Sequence, residues 1–255
     1  QVVRLVGTVD GALGTVAETP WPRLPAAVRV PRAIPMNECE RALGASFEIQ
    51  DAASQSVGAW CDPQPGERWW DACVGAGGKA LDLAARSGGR AQIVGTDVRP
   101  SALGEARRRI RRIGVNGIRL LLHDARRPLP GSPQFDGVLV DAPCTGTGTW
   151  GRAPDARWRS SPEDLAEAVD LQRALLESAA NAVRPGGRLV YAVCSLTYAE
   201  SRDIAENFAR AHPDFELEPA LHPMMADNVP QPALWVWPWM GPGTGMFAVR
   251  WRRAR

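Results

Sequence analysis

Two cysteines stand where a nucleophile could act. Cys144 closes the stretch GVLVDAPC and Cys194 closes RLVYAVC. Each apolar run reads as a buried β-strand, and each thiol falls on the turn after it. A thiolate is a strong nucleophile once its pKa is lowered. Acids recur at similar places: Asp71, Asp97, Asp124 and Asp141 end, or nearly end, four successive apolar runs. The one lysine, Lys79, lies in the glycine-rich stretch DACVGAGGKA, although the chain carries 30 basic residues.

Bringing these groups to one edge requires strands that run in the same direction. The pattern predicts strands at 68–73, 92–97, 118–124, 135–143, 188–195 and 246–251. Between them it predicts helices from residue 79 to a glycine stop, at 101–114, after Ser161 and at 200–212. Leu103, Ala106, Ile110 and Ile113 form the apolar stripe of the second helix, with Ser101 and Gly114 as its expected caps. Ser161 caps the long helix, Pro162 fits its first turn, and Glu163 and Asp164 suit its dipole. This alternation predicts an α/β fold with a doubly wound, mostly parallel sheet covered on both faces.

Ligands of such sheets bind beyond the carboxyl ends of the strands, where the winding reverses. Gly75, Gly77 and Gly78 let the backbone turn tightly there, although such a turn can also serve packing alone. The following helix start, or Lys79, could receive a carboxylate. Asp97 comes 19 residues after Gly78, a spacing suited to ribose hydroxyls, and Asp124 could meet an adenine amino group. An adenosine-containing ligand with a positive centre fits this row of acids, and S-adenosylmethionine has one in its sulfonium. A Walker A loop is excluded, because Ala80 follows Gly78-Lys79 and Cys73 stands where its first glycine belongs.

Thiols beside a methyl donor suit a target that needs covalent activation. Carbon 5 of cytosine is a poor nucleophile until a thiolate adds to carbon 6, and an acid at ring nitrogen 3 assists. At these residues the chain resembles the RsmB-like, Sun/Nop-type RNA 5-methylcytosine methyltransferases. The matching blocks are FEIQDAASQ (47–55), DACVGAGGK (71–79), DAPCTGTGTWGRAPDARW (141–158), LVYAVCSL (189–196) with Glu200 downstream, and GTGMFAVRWRR (243–253).

The resemblance covers roughly residues 46–255. It implies a seven-stranded, Rossmann-like sheet of the class I S-adenosylmethionine-dependent methyltransferases, preceded by a 1–45 segment read as the remnant of a small RNA-binding domain. It makes Cys194 the nucleophile, Cys144 the residue that helps resolve the covalent adduct, and Asp141 the group that meets the cytosine edge beside the cofactor. Cys73, Val74, Gly75, Ala76, Gly77, Gly78, Lys79, Asp97, Asp124 and Asp141 would hold S-adenosylmethionine. The nucleophile of DNA cytosine methyltransferases follows a proline, which would favour Cys144; the second cysteine and the flanking blocks favour Cys194. Ala76 and Ala80 replace the family's proline and threonine, so a less rigid loop is expected.

RNA is the expected partner, ribosomal or transfer RNA, with ribosomal RNA favoured. Arg152, Arg157, Trp158 and Arg159 are candidates to grip phosphates and stack on a base, and the Arg107–Arg112 face could add charge. Trp69, Trp70, Trp235, Trp237 and Trp239 are expected to pack. The alternatives are a degenerate methyltransferase fold that binds RNA without chemistry, a methyltransferase with another acceptor, and two merely structural cysteines. The five cysteines include no CxxC pair and the three histidines no ligand spacing, so no metal is expected. Cys39 and Cys61 are expected as packed, reduced thiols. No run of about 18 apolar residues suggests a membrane span. A cytoplasmic monomer is expected. A chain beginning at Gln1 is expected to be a piece of a longer one.

Overall fold

Parallel strands need long crossovers, and helices supply them here. The computed structural model describes residues 2–5, 20–30, 35, 38, 47–132, 134–241 and 243–255. Strands β1 (Val2–Leu5), β2 (Ala27–Arg29) and β3 (Phe47–Ile49) form a small antiparallel sheet in the order β2-β1-β3. Cys39 lies outside the described residues.

The main sheet begins with β4 (Arg68–Asp71), β5 (Gln92–Asp97) and β6 (Ile118–Leu122), linked by α2 (Gly78–Arg86) and α3 (Pro100–Ile113). The chain then returns across the sheet to β7 (Phe135–Asp141), α4 (Pro162–Ala182) and β8 (Val183–Val193). It ends with α5 (Arg202–Ala211), β9 (Phe215–Leu217), β10 (Ala233–Val236) and β11 (Met246–Arg253). The order is β10-β11-β8-β7-β4-β5-β6, and β9 also pairs with β11. The sheet therefore has eight strands rather than the seven expected. Because β10 pairs with Met246–Val249 and β9 with Trp251–Arg253, both short strands share one edge of β11 and the sheet stays seven positions wide. The strands from β6 to β8 are parallel; β9, β10 and β11 join antiparallel. The winding reverses between β4 and β7, the place where open α/β sheets bind ligands.

Trp69 and Trp70, successive residues of β4, point to opposite faces and are fully buried in two cores. On one face lie Leu175 and Leu176 of α4 with Ile204 and Phe208 of α5. On the other lie α2, α3 and a helix the sequence pattern did not predict, α1 (Ala52–Cys61), capped by Asp51, whose side chain accepts the Ala53 N–H at 2.8 Å. Cys61 is buried there, as expected, and burial first, then the charges of Asp82 and Asp71, push its thiol far up. Ser161 caps α4 through a reciprocal box with Asp164. Ser101 does not cap α3: Pro100 takes the first turn and Arg99 precedes it, while Gly114 ends the helix as expected.

Candidate functional site

Parallel pairing brings the two thiols together. Asp141 at the end of β7 lies opposite Ala192 of β8, and the Ala142 N–H donates to the Ala192 carbonyl at 2.9 Å. A few residues beyond this register, Cys144 Sγ and Cys194 Sγ are 3.3 Å apart. The TGTGT turn locks onto the second thiol's backbone: the Gly148 N–H donates to the Cys194 carbonyl at 3.0 Å, and the Gly148 carbonyl accepts from Gly245 at 2.8 Å. A Cβ at Gly148 would lie 2.2 Å from the Gly245 oxygen, so a side chain there would part the loops.

Beneath the thiols sits Glu200, fully buried. One carboxylate oxygen accepts the Thr145 N–H at 2.8 Å and Gln172 Nε2 at 3.1 Å. The other accepts the hydroxyls of Thr145, Ser195 and Thr197. Thr145 follows Cys144 and Ser195 follows Cys194, so one carboxylate ties both thiol-bearing turns together. Burial alone would raise Glu200, but hydrogen bonds from Ser195, Thr145 and Gln172 outweigh it and hold the acid below its usual pKa. The sequence marked Glu200 only as part of a matching block; its buried linking role needed the fold.

The surroundings push the acidities of the two thiols apart. The hydrogen bond from Cys144 holds the Cys194 thiol below the usual range; burial and Asp141 oppose this, and Lys79 assists it. Cys144 is pushed well up by that same hydrogen bond, by burial and by the charges of Cys194 and Glu200. Lys79 Nζ is 2.6 Å from Asp141 Oδ2. Asp141 uses one of the three N–H donors of Lys79, and Lys79 lines the larger cavity beside the first turn of α2, so an anionic group there has both the ammonium and the backbone N–H groups to meet.

Two adjoining cavities meet at this point. The larger, of about 750 Å³, is lined by Cys73, Val74, Gly75, Ala76, Gly78, Lys79, Asp97, Asp124, Asp141, Cys144 and Cys194 among others. Its size falls in the ~300–1,000 Å³ range of small-molecule sites. The smaller, of about 330 Å³, lies beyond Lys79, Asp141 and Cys194 and adds Asp51, Thr149, Arg152 and Thr244. Two expected groups are elsewhere. Gly77 is not part of the larger cavity's wall; it turns the chain with φ +83° and packs on α3, where a Cβ would come within 3.1 Å of Ala106. Asp71, counted in the row of acids, lies behind the wall. Its oxygens are buried without a well-formed hydrogen bond, and burial, then Asp141's charge, raises it to about 7 against the pull of Lys79.

The larger cavity fits an adenosine with an amino-acid tail. Asp97 ends β5 with its carboxylate on the cavity, receiving the Gly75 N–H at 3.0 Å and the Arg99 N–H at 2.8 Å. Val98, Ala125, Leu171 and Leu175 supply apolar walls, and the first turn of α2 supplies backbone donors. The Arg99 guanidinium also clasps Asp97, and Arg126 clasps Asp124 in the same way, two residues downstream in each case. Both arginines are more than half exposed, so a ribose or base can displace them at little cost. Hydrogen bonds from Arg126 bring Asp124 down to about 2. The alanine at 76 is braced from outside: its carbonyl accepts Arg109 Nη1 at 3.0 Å.

That brace revises the expected arginine face of α3. Arg109 and Arg112 both bind Glu48, whose side chain is buried, and so fasten α3 to β3. Arg108 pairs with Glu105. Of the other RNA candidates, Arg159 pairs with Asp155, while Arg157 lies over the exposed ring of Trp158, 4.5 Å from its centroid. Arg152 stands at the mouth of the smaller cavity, 3.8 Å from Asp51. Trp69 and Trp70 are buried in the core, whereas Trp239 packs at the surface, stacked on Trp237 with its outer face exposed. Among the described residues no group of His, Cys, Asp or Glu could hold a metal ion, and no helix is long and apolar enough to cross a membrane.

A family model described as "16S rRNA methyltransferase RsmB/F" matches residues 58–252. Ribosomal RNA small subunit methyltransferase B of Thermus thermophilus is 41% identical over 177 residues, covering 69% of this chain and 43% of that protein. The Salmonella paratyphi B protein of the same name is 33% identical over 224 residues, covering 85% of this chain and 52% of that protein. The chain thus spans about half, or less, of these relatives' length. Among solved structures, PH0851 superposes with TM-score 0.88 at 29% identity, covering 99% of this chain and 59% of that one. A methyltransferase homolog from Pyrococcus horikoshii gives 0.80 at 26% identity, covering 99% and 86%.

Proposed function

The chain belongs to the RsmB/F family of 16S rRNA methyltransferases, and on that premise we propose that it methylates carbon 5 of a cytosine in ribosomal RNA, with S-adenosylmethionine as donor and Cys194 as covalent nucleophile. The observation that carries the reading is the pair of sulfurs 3.3 Å apart on the wall of the larger cavity, with Cys194 also facing the smaller one. A donor in the larger cavity and a base in the smaller would meet at Cys194, Lys79 and Asp141.

S-adenosylmethionine, when bound, supplies an electrophilic methyl group. The residues do the rest. Asp97 takes the ribose hydroxyls, the acids and apolar walls hold the adenosine, and the first turn of α2 receives the carboxylate. Cys194 Sγ adds to carbon 6 of the cytosine, so that the ring electrons become available at carbon 5. Asp141 meets the nitrogen 3 and amino edge of the base, steadying a proton gained there, and Lys79 keeps Asp141 and the thiolate in register. After carbon 5 has taken the methyl group, a base, solvent water, takes the carbon 5 proton; the electrons of that bond form the 5,6 double bond, the bond from carbon 6 to sulfur breaks with its electrons returning to Cys194, and the proton at nitrogen 3 is given back. Cys144 assists this elimination. The 1–45 segment serves RNA engagement.

The degenerate-fold alternative gains no support from a large cavity that side chains leave open at the row of acids. The test is transfer of labelled methyl groups to ribosomal RNA from cells lacking the enzyme, followed by bisulfite mapping. Methylation at a cytosine that disappears in Cys194→Ser, with cofactor binding retained in that variant, supports the reading. Label in DNA alone, or full activity in Cys194→Ser, defeats it.

A further inference from the structure

Strand β10 leaves an aromatic stack that the thiol chemistry does not use. Its alternation sends Leu234 and Val236 into the core and Trp235 to the other face, and Trp237, just past the strand, stacks on Trp235. Trp239 continues that face beyond the strand. The three indoles are nearly parallel: centroids of Trp235 and Trp237 are 5.1 Å apart with 6° between planes, and those of Trp237 and Trp239 are 5.1 Å apart with 4°. The inner end is anchored, since Trp235 packs on Phe247 at 4.7 Å. The outer end is open, with Trp239 77% exposed.

We propose that the open face of Trp239 binds an unpaired nucleobase of the RNA strand flanking the target cytosine. Exposed aromatic rings are the platforms on which single-stranded nucleic acid stacks, with little sequence preference. A fourth planar ring continues a stack that the protein has already aligned, so binding orders the base alone and no indole need move. Two connections tie the stack to the site. Tyr198, four residues after Cys194, meets Trp235 edge-on at 6.3 Å and carries above its ring, at 4.2 Å, the Arg202 guanidinium, which Asp203 and Glu206 also pair. At the other end, the chain from Trp239 runs into Thr244 and Met246, which line the smaller cavity. The five-residue span from Trp239 to Thr244 cannot exceed ~18 Å, which bounds how far the stack can lie from that cavity. The inference rests on the RNA reading above.

The test compares binding of a short single-stranded RNA and of a hairpin without unpaired flanks, by fluorescence anisotropy at several salt concentrations. Trp239→Ala is expected to weaken the single strand by about 5- to 100-fold. Hairpin affinity, cofactor affinity and the slope with salt should stay as in wild type, because stacking releases no counterions. Trp239→Phe should restore most of the loss. An unchanged Kd for the single strand overturns the proposal, as does an equal loss for both RNAs. A lower unfolding midpoint with unchanged RNA affinity also overturns it, by assigning the stack to protein packing. If wild type methylates RNA while Trp239→Ala binds normally, only this inference fails; if wild type neither binds nor methylates RNA, the functional reading fails with it.

Discussion

Replacing Glu200 separates holding the thiols from setting their charge. The fully buried carboxylate faces two donors that cannot turn away, the Thr145 N–H and Gln172 Nε2, and three hydroxyls that can. Glu200→Ala strands both fixed donors. At about 1–3 kcal/mol for each unsatisfied buried group, the loss is about 2–6 kcal/mol, a large part of a typical ~5–15 kcal/mol stability. Glu200→Gln is gentler. Its oxygen can face the two N–H donors while its amide faces the hydroxyls, which rotate to accept. The cost is the charge-assisted part of these bonds, about 1–2 kcal/mol.

The glutamine variant therefore folds, and it isolates the charge. Cys144 is held protonated by its bond to Cys194, by burial and by the charges of Cys194 and Glu200; Cys194 has Lys79 on its side. Without the Glu200 charge the preference for a thiolate at Cys194 must weaken. Urea denaturation measures the stability loss. Brief alkylation with iodoacetamide, followed by peptide mass spectrometry, measures the ratio of label at Cys194 to label at Cys144. In wild type the label should favour Cys194, and in Glu200→Gln the ratio should fall several-fold. A stability loss with an unchanged ratio would show that Glu200 is only a strut and would refute the electrostatic part of the reasoning.

Other perturbations read neighbouring parts of the site. Cys144→Ala should trap the protein–RNA adduct, visible as a shifted band on a denaturing gel. Lys79→Met removes a charge that lowers Cys194, so the acid limb of the kcat/KM profile should move to higher pH, with activity partly regained there. Asp71 has a folded pKa raised to about 7 from an ordinary 3.8. Its folded state binds the proton more tightly, so its contribution is fully present below about pH 4 and lost as pH rises to about 7. Asp71→Asn should thus gain on wild type in urea midpoint as pH rises from about 4 to about 7, and the gain should level off above that.

The parallel strands were legible because buried strands and amphipathic helices alternate with clear punctuation. The strand QIVGTD was bounded correctly, and the Ser161 cap and Gly114 stop were found at their chemical signals. Helix α1 was missed for a physical reason: nearly all of AASQSVGAWC is buried, so no polar face marks a period of 3.6. Strands β9 and β10 were missed because three or four residues carry too little alternation. Ser101 was a misleading cap because Pro100, one residue earlier, already fits the first turn. In the site, thiols and acids were readable from their place after apolar runs. Partners distant in sequence were not: Arg109 looked like one of a row of solvated arginines, yet it joins Glu48 to the Ala76 carbonyl.

That bond bears on the loop's departures. A proline at 76 would stiffen the turn by restricting φ, an effect that acts largely on the unfolded chain. Alanine forgoes it, but Arg109 grips the same residue's carbonyl in the folded state, and Glu48, buried beneath, holds Arg109 in place at 2.9 Å and 2.6 Å. The two devices differ in what breaks them. Stiffness from proline is local, whereas the brace depends on α3 and β3 staying docked. If the brace substitutes for the ring, Arg109→Met should weaken S-adenosylmethionine binding about 5- to 10-fold in calorimetry, near the ~1 kcal/mol of one hydrogen bond. Adding Ala76→Pro should recover part of that loss. Equal affinity in wild type and Arg109→Met would show that the alanine loop holds its shape unaided.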